Sequence, residues 1–204
     1  MKLFTKATSL IIVFAIAGTV RADLTLSFSD ADVLAGDQVA VTARIANDMF
    51  DQELSGYNFT IDVGNDGNAL PPGISLNIGA SASLATNLVN FSLADGLPPV
   101  FNFDIIASDS SGGPGSETVS ATPTDLFTLV FDVDSSVAVG TQFDIGFVEP
   151  TIAAQFSLTL DGVSSNFDAV GVVETGTITV LGVPEPASTS ILGVVGLLIC
   201  RRRR

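Results

Sequence analysis

Oxygen is the only ligand chemistry this sequence offers in quantity. Carboxylates and amides crowd three short stretches: Asp30, Asp32 and Asp37; Asp62, Asn65, Asp66 and Asn68; and Asp104 with Asp109. Calcium takes roughly six to eight oxygen ligands, and acidic loops supply them. Calcium is therefore the cofactor these residues point to. They do not form an EF-hand: counted from Asp62, Gly64 falls at the third ligand position and Gly73 at the twelfth. Asp and Asn also make turns through bonds to their own backbone, so both uses of these clusters stay open.

Other chemistry is excluded by what is missing. Histidine is absent and Cys200 is the only cysteine. That removes Ser-His-Asp and Cys-His catalysis and the common zinc and copper ligands. It also leaves no disulfide, so the fold rests on its core. A paired-carboxylate hydrolase needs only two acids at a suitable separation. Such sites also recruit cations, and these are scarce: Arg44 is the sole base between Asp23 and Gly182, against 21 acids, a net charge of −20. The expectation is a protein that is not an enzyme. Its charge repels nucleic acid and anionic lipid and favours calcium or a basic partner. Asn58-Phe59-Thr60 and Asn90-Phe91-Ser92 match a glycosylation pattern, but both fall inside expected strands.

The elements that position these residues alternate apolar and polar side chains with a period of two, the mark of half-buried strands. Leu24, Leu26 and Phe28 share a face, as do Val39, Val41, Ala43 and Ile45, and Tyr57, Phe59, Ile61 and Val63. The pattern returns at Val89, Phe91 and Leu93, at Phe101, Phe103 and Ile105, and most clearly at Phe127, Leu129, Phe131 and Val133. Phe143 to Phe147, Phe156 to Leu160 and Ile178 to Val180 follow, with a weaker strand at Ile74 to Ile78. Turn signals separate them at Gly36-Asp37, Asp66-Gly67, Asp95-Gly96 and Asp161-Gly162. Segments 64–74 and 108–124 read as loops. The expected fold is an all-β antiparallel sandwich or jelly roll of about ten strands, spanning 23–182. The phenylalanines fill its interior.

The two ends are different in kind. Lys2 and Lys6 precede the apolar run Leu10–Ala17, and Val20-Arg21-Ala22 ends it. This is the layout of a secretory signal peptide over 1–22, cleaved by signal peptidase between Ala22 and Asp23. At the other end, Val183-Pro184-Glu185-Pro186 leads into an apolar helix over 189–200 and then Arg201, Arg202, Arg203 and Arg204. A helix of this length is short for a bilayer, although arginines snorkel and lengthen the span. They would stay cytoplasmic and leave the domain outside.

The order Pro-Glu-Pro, short apolar helix, arginine cluster resembles the PEP-CTERM sorting signal over 183–204, also known as an ice-binding protein C-terminal domain. The resemblance implies an exosortase substrate, transiently held in the inner membrane and passed to the envelope or to extracellular polysaccharide. It implies an address and no activity.

A second resemblance covers the domain. Ala35-Gly36-Asp37-Gln38-Val39, Leu54-Ser55-Gly56-Tyr57-Asn58-Phe59, Phe101–Ser111 and Leu126–Phe147 are similar to successive parts of cohesin-like domains. That family implies a jelly-roll sandwich which binds dockerin modules through one sheet face and has no catalytic residues. The expectation is an exported, non-catalytic surface or extracellular-matrix protein that works by adhesion or assembly. The alternatives are a cohesin-like module for a protein or polysaccharide partner and, third, a carboxylate-dependent glycan hydrolase.

Overall fold

A computed structural model describes residues 24–64, 69–95, 103–150 and 155–182. The expected signal peptide with its Ala22–Asp23 cleavage point, the expected sorting tail from Val183 to Arg204, and Asn65, Asp66 and Asn68 lie outside the described residues. No helix among the described residues is long and apolar enough to cross a membrane.

The strands are β1 (Leu24–Phe28), β2 (Ala31–Leu34), β3 (Gln38–Asn47), β4 (Gln52–Val63), β5 (Ile74–Leu76), β6 (Ala82–Ser83), β7 (Ser92–Asp95) and β8 (Ile105–Ser110). They continue as β9 (Glu117–Val119), β10 (Thr124–Val133), β11 (Gln142–Phe147), β12 (Ser157–Leu160), β13 (Val163–Ser165), β14 (Val172–Glu174) and β15 (Gly176–Leu181). A 3-10 turn spans Phe167–Ala169.

Two sheets form a sandwich. The six-stranded sheet runs β14-β1-β3-β10-β5, with β6 also on β10. The nine-stranded sheet centres on β4, which pairs with β8 and β9 on one side and with β12 and β11 on the other. It continues through β15 to β2, through β12 to β13 and through β8 to β7. Most pairs are antiparallel, but β1–β14 and β2–β15 are parallel. The first strand thus breaks at Ser29–Asp30 and crosses from one layer to the other. Ser29 secures the crossing by donating its N–H to the Thr42 carbonyl at 3.0 Å and accepting from the Thr42 N–H at 2.9 Å.

The core lies between the layers, where the alternating apolar faces meet. Phe127 of β10 packs on Tyr57 of β4 with ring centroids 5.6 Å apart and on Phe59 at 6.5 Å. Phe28 stacks on Phe147 at 4.5 Å, again across the layers. Aromatic pairs of this kind contribute about 0.5–1.5 kcal/mol each beyond the area they bury.

The all-β sandwich expected from alternation is present, but with more and shorter strands. The extra ones (β2, β6, β9, β13 and β14) are two to four residues long and too short to show a clear period. Segment 108–124, expected as a loop, instead holds the end of β8, all of β9 and the first residue of β10. β9 exists because it pairs with Gln52–Leu54 of β4 and buries Val119. The expected strand through Val89 starts only at Ser92, and Val89 is 70 % exposed. The strand at Ile74 stops at Leu76, leaving Ile78 exposed.

Candidate functional site

Strand β4 sends Tyr57, Phe59, Ile61 and Val63 into the core. Asn58, Thr60 and Asp62 therefore lie on the outer face of the larger sheet. Part of this face is covered. The Thr60 hydroxyl donates to the Val148 carbonyl at 2.5 Å, and the Val148 N–H donates back to Thr60 at 3.0 Å. Thr60 and Asp62 are consequently buried despite facing outward. At the same end Asp104 finishes the sheet: its N–H donates to Ile61, and its carboxylate accepts from the Val63 N–H at 2.8 Å.

The rest of the face is open and built of small polar groups in register. Ser92 stands opposite Ser108, Ser108 opposite Asn58, and Asn58 opposite Ser157. This is one row across four strands spaced about 4.8 Å apart. A second row runs Ser110, Gly56, Thr159 and Ser164. Among the described residues the hydroxyls of Ser92, Ser108, Ser157, Thr159 and Ser164 have no hydrogen-bond partner, and the Asn58 amide oxygen is buried without one. Gly56 keeps the second row flat. A side chain there would stand 3.2 Å from the Asp109 carbonyl and 3.4 Å from Ser110.

The described members of the acidic clusters have separate roles in the fold. Asp30 accepts from the Thr177 N–H at 2.9 Å, holding the strand crossing against β15. Asp32 is exposed on β2 and Asp37 sits exposed in the following turn. Asp62 lies on the outer face of β4. Asp104 and Asp109 are separated by the length of β8, roughly 17 Å. Asp109 is the one that points inward. It is buried and accepts from the Ser83 hydroxyl at 2.8 Å, the Asn90 N–H at 2.9 Å and the Ser110 N–H at 2.8 Å. Among the described residues no three acidic side chains gather as a metal would require.

Beside Asp109 lies Tyr57, whose hydroxyl is buried with no partner. Burial pushes its pKa far above the ordinary phenol value, and the Asp109 carboxylate pushes it further.

One open recess of about 290 Å³ has two carboxylates in its wall, Asp132 and Asp134, with Gly73, Ile74, Ser75 and Val133. Both acids are committed to the fold. Asp132 accepts from Gln38 at 2.7 Å and Asn77 at 3.1 Å, and Asp134 accepts from the Ser136 N–H at 2.7 Å. That backbone bond, with the Ser136 hydroxyl second, holds Asp134 below the usual carboxylate range. A general acid needs the opposite shift.

Solved structures share this architecture. The sixth cohesin of Acetivibrio cellulolyticus scaffoldin B, solved in complex with a Cel5 dockerin mutant, superposes with a TM-score of 0.55 at 14 % identity, covering 77 % of this chain and 98 % of that one. The chain has a cohesin-like fold. The seventh ScaB type I cohesin of Pseudobacteroides cellulosolvens agrees equally well, with a TM-score of 0.55 at 15 % identity over 80 % of this chain and 96 % of that one. A non-cellulosomal cohesin from the archaeon Archaeoglobus fulgidus gives 0.51 at 15 % identity, over 79 % of this chain and 93 % of that one. No protein-family model matches the sequence, and no curated protein matches it either.

The cohesin-like expectation for the fold is therefore met. The hydroxyl rows were not among the residues singled out from sequence. Serine at alternate positions is visible at Ser108 and Ser110 and at Ser157 and Thr159, but which strands stand side by side is not.

Proposed function

We propose that this cohesin-like domain is a non-catalytic contact module of an exported protein, holding a protein or polysaccharide partner against the outer face of its larger sheet. The observation that carries the reading is the open part of that face. Among the described residues the hydroxyls of Ser92, Ser108, Ser157, Thr159 and Ser164 stand in rows and are uncommitted to the fold, whereas Asp109 and Thr60 spend their polar atoms on it. A flat surface of donors and acceptors suits contact with an extended partner better than enclosure of a small substrate.

The fold supports the same reading, since solved cohesins include complexes with dockerins and a module from a cell-surface anchoring scaffoldin of Ruminococcus flavefaciens. The proposal extends to the ends of the chain. Signal peptidase would release Asp23, and the Pro184-Glu185-Pro186 tail with Arg201–Arg204 would deliver the domain to the envelope or extracellular matrix by way of exosortase.

The test is capture from the host's own extracellular material, with and without calcium. The native domain should retain a defined protein or polysaccharide. Ser108→Arg and Ser157→Arg, which block the row without touching the core, should lose it. Equal capture by both variants would place the contact elsewhere.

A further inference from the structure

The end of the sandwich where the chain enters carries an apolar tip that the sheet-face reading does not use. β3 and β4 are joined by Asp48-Met49-Phe50-Asp51. Met49 is 50 % exposed and Phe50 52 % exposed. The loop is held at its base: Asn47, itself buried, accepts from the Met49 N–H at 3.1 Å and donates to Gln52 at 2.7 Å. Gln52 in turn donates to Asp161 at 3.2 Å, and the Glu53 N–H donates to Asp161 at 3.0 Å. Asp161 and Gly162, both with positive φ, form the tight turn between β12 and β13. The two connections are therefore fixed side by side. Beside the Gln52–Asp161 contact, at the foot of the 48–51 connection, opens a pocket of about 220 Å³ lined by Leu24, Leu160, Ala169 and Val163, with Gln52 and Asp161 on its wall. Val163 is 65 % exposed at its rim.

We propose that this end is a docking site for a cationic protein segment that places an apolar side chain in the pocket beside Met49, Phe50 and Val163. The charge selects the occupant. Asp48, Asp51, Asp161 and Asp168 surround the apolar groups and all are exposed. The single basic residue of the domain, Arg44, is bound to Asp125 at 2.7 Å. A second copy of a domain carrying −20 would be repelled, as would an anionic lipid surface. A basic, amphipathic segment gains on both counts: apolar contact at a preorganised tip and charge steering towards it. The topology favours access. Leu24 lies opposite Asn47 at this end, while β15 runs to Leu181 at the far end. The proposal stands whether or not the outer sheet face carries a partner.

The test uses the mature exported protein and three labelled peptides of equal length: a helix with a leucine face and a lysine face, the same helix with glutamate for lysine, and a lysine–serine peptide without apolar groups. The leucine–lysine peptide should bind, and more weakly as salt rises. Phe50→Ser with Met49→Ser should weaken it about tenfold or more. Asp48→Asn with Asp51→Asn should weaken it and flatten its salt dependence, and Ser108→Arg in the sheet face should leave it unchanged. Equal binding of the lysine–serine peptide would reduce the effect to general charge and overturn the proposal. So would leucine–lysine binding that survives both tip substitutions, or that Ser108→Arg abolishes.

Discussion

The Ser83 hydroxyl lies 2.8 Å from the Asp109 carboxylate and donates to it across the two layers of the sandwich. Ser83 belongs to a two-residue strand on the smaller sheet, and Asp109 to β8 of the larger one. A carboxylate turned into a core costs stability unless donors meet it. Here three do, two of them backbone N–H groups. Asp109→Ala would strand those donors and cost about 2–4 kcal/mol, whereas Ser83→Ala, which leaves two bonds in place, would cost about 1 kcal/mol. Urea unfolding of the two variants checks the order; equal effects would mean that Asp109 is held by the interlayer bond alone.

Tyr57 is the neighbour of this latch and the only tyrosine in the chain. Its hydroxyl has no partner, so Tyr57→Phe should be neutral or stabilise the domain by up to about 1 kcal/mol. Its raised pKa has a definite sign. The folded domain keeps the phenol protonated above the pH at which the unfolded chain releases it, near 10.0. The associated stability is fully present below that pH and falls above it, by about 1.4 kcal/mol per pH unit. Absorbance of the phenolate should therefore appear together with loss of β-structure in circular dichroism. A phenolate signal in the folded domain near pH 10 would contradict the buried placement.

Gly176 marks the place where the first strand changes layer. A side chain there would meet the Ser29 carbonyl at 2.6 Å and Phe28 Cβ at 2.9 Å. Backbone cannot yield as a flexible side chain does, so Gly176→Ala should cost about 2–3 kcal/mol. Gly162→Ala, with open space around it, tests a different cost, because only its positive φ resists substitution. Thermal unfolding of both should show the larger loss at Gly176.

The long strands were legible because they are paired and half-buried along their length. Phe127, Leu129, Phe131 and Val133 alternate as expected and reach the core. Leu126, next to Phe127, is also buried, since β10 shifts register between Asp125 and Phe127. A period-two reading cannot foresee such a bulge. Nor can it foresee β6 or β9, whose two or three residues owe their conformation to the strand they lie against. Asp109 stands near Asp104 in the sequence, where ligand and turn roles are both open, and in the fold it continues the inward face of Ile105 and Ala107. Its side chain type hid the alternation. The outer face was hidden for a different reason: Ser92, Ser108, Asn58 and Ser157 come from four separated segments, and only strand order brings them into a row. Met49 and Phe50 carry no period at all, although a bulky apolar pair between two aspartates in a turn is itself a visible signal.

The charge of the domain gives the last prediction. With 21 acids and one base between Asp23 and Gly182, repulsive charge pairs far outnumber attractive ones. The single described ion pair, Arg44–Asp125, is about half exposed on both sides, and pairs of that kind contribute only about 0.2–1 kcal/mol. Net repulsion should therefore outweigh attraction in the folded state, where the charges are held closer together than in the unfolded chain. Salt shortens the reach of that repulsion, from about 10 Å at 0.1 M to about 3 Å at 1 M. Raising sodium chloride across this range should raise Tm. Arg44→Ala should lower Tm slightly at low salt and make its rise with salt steeper, because one of the few attractive contacts is gone. A Tm that fell with salt would show that local attractive contacts, such as hydrogen bonds to carboxylates, outweigh the summed repulsion.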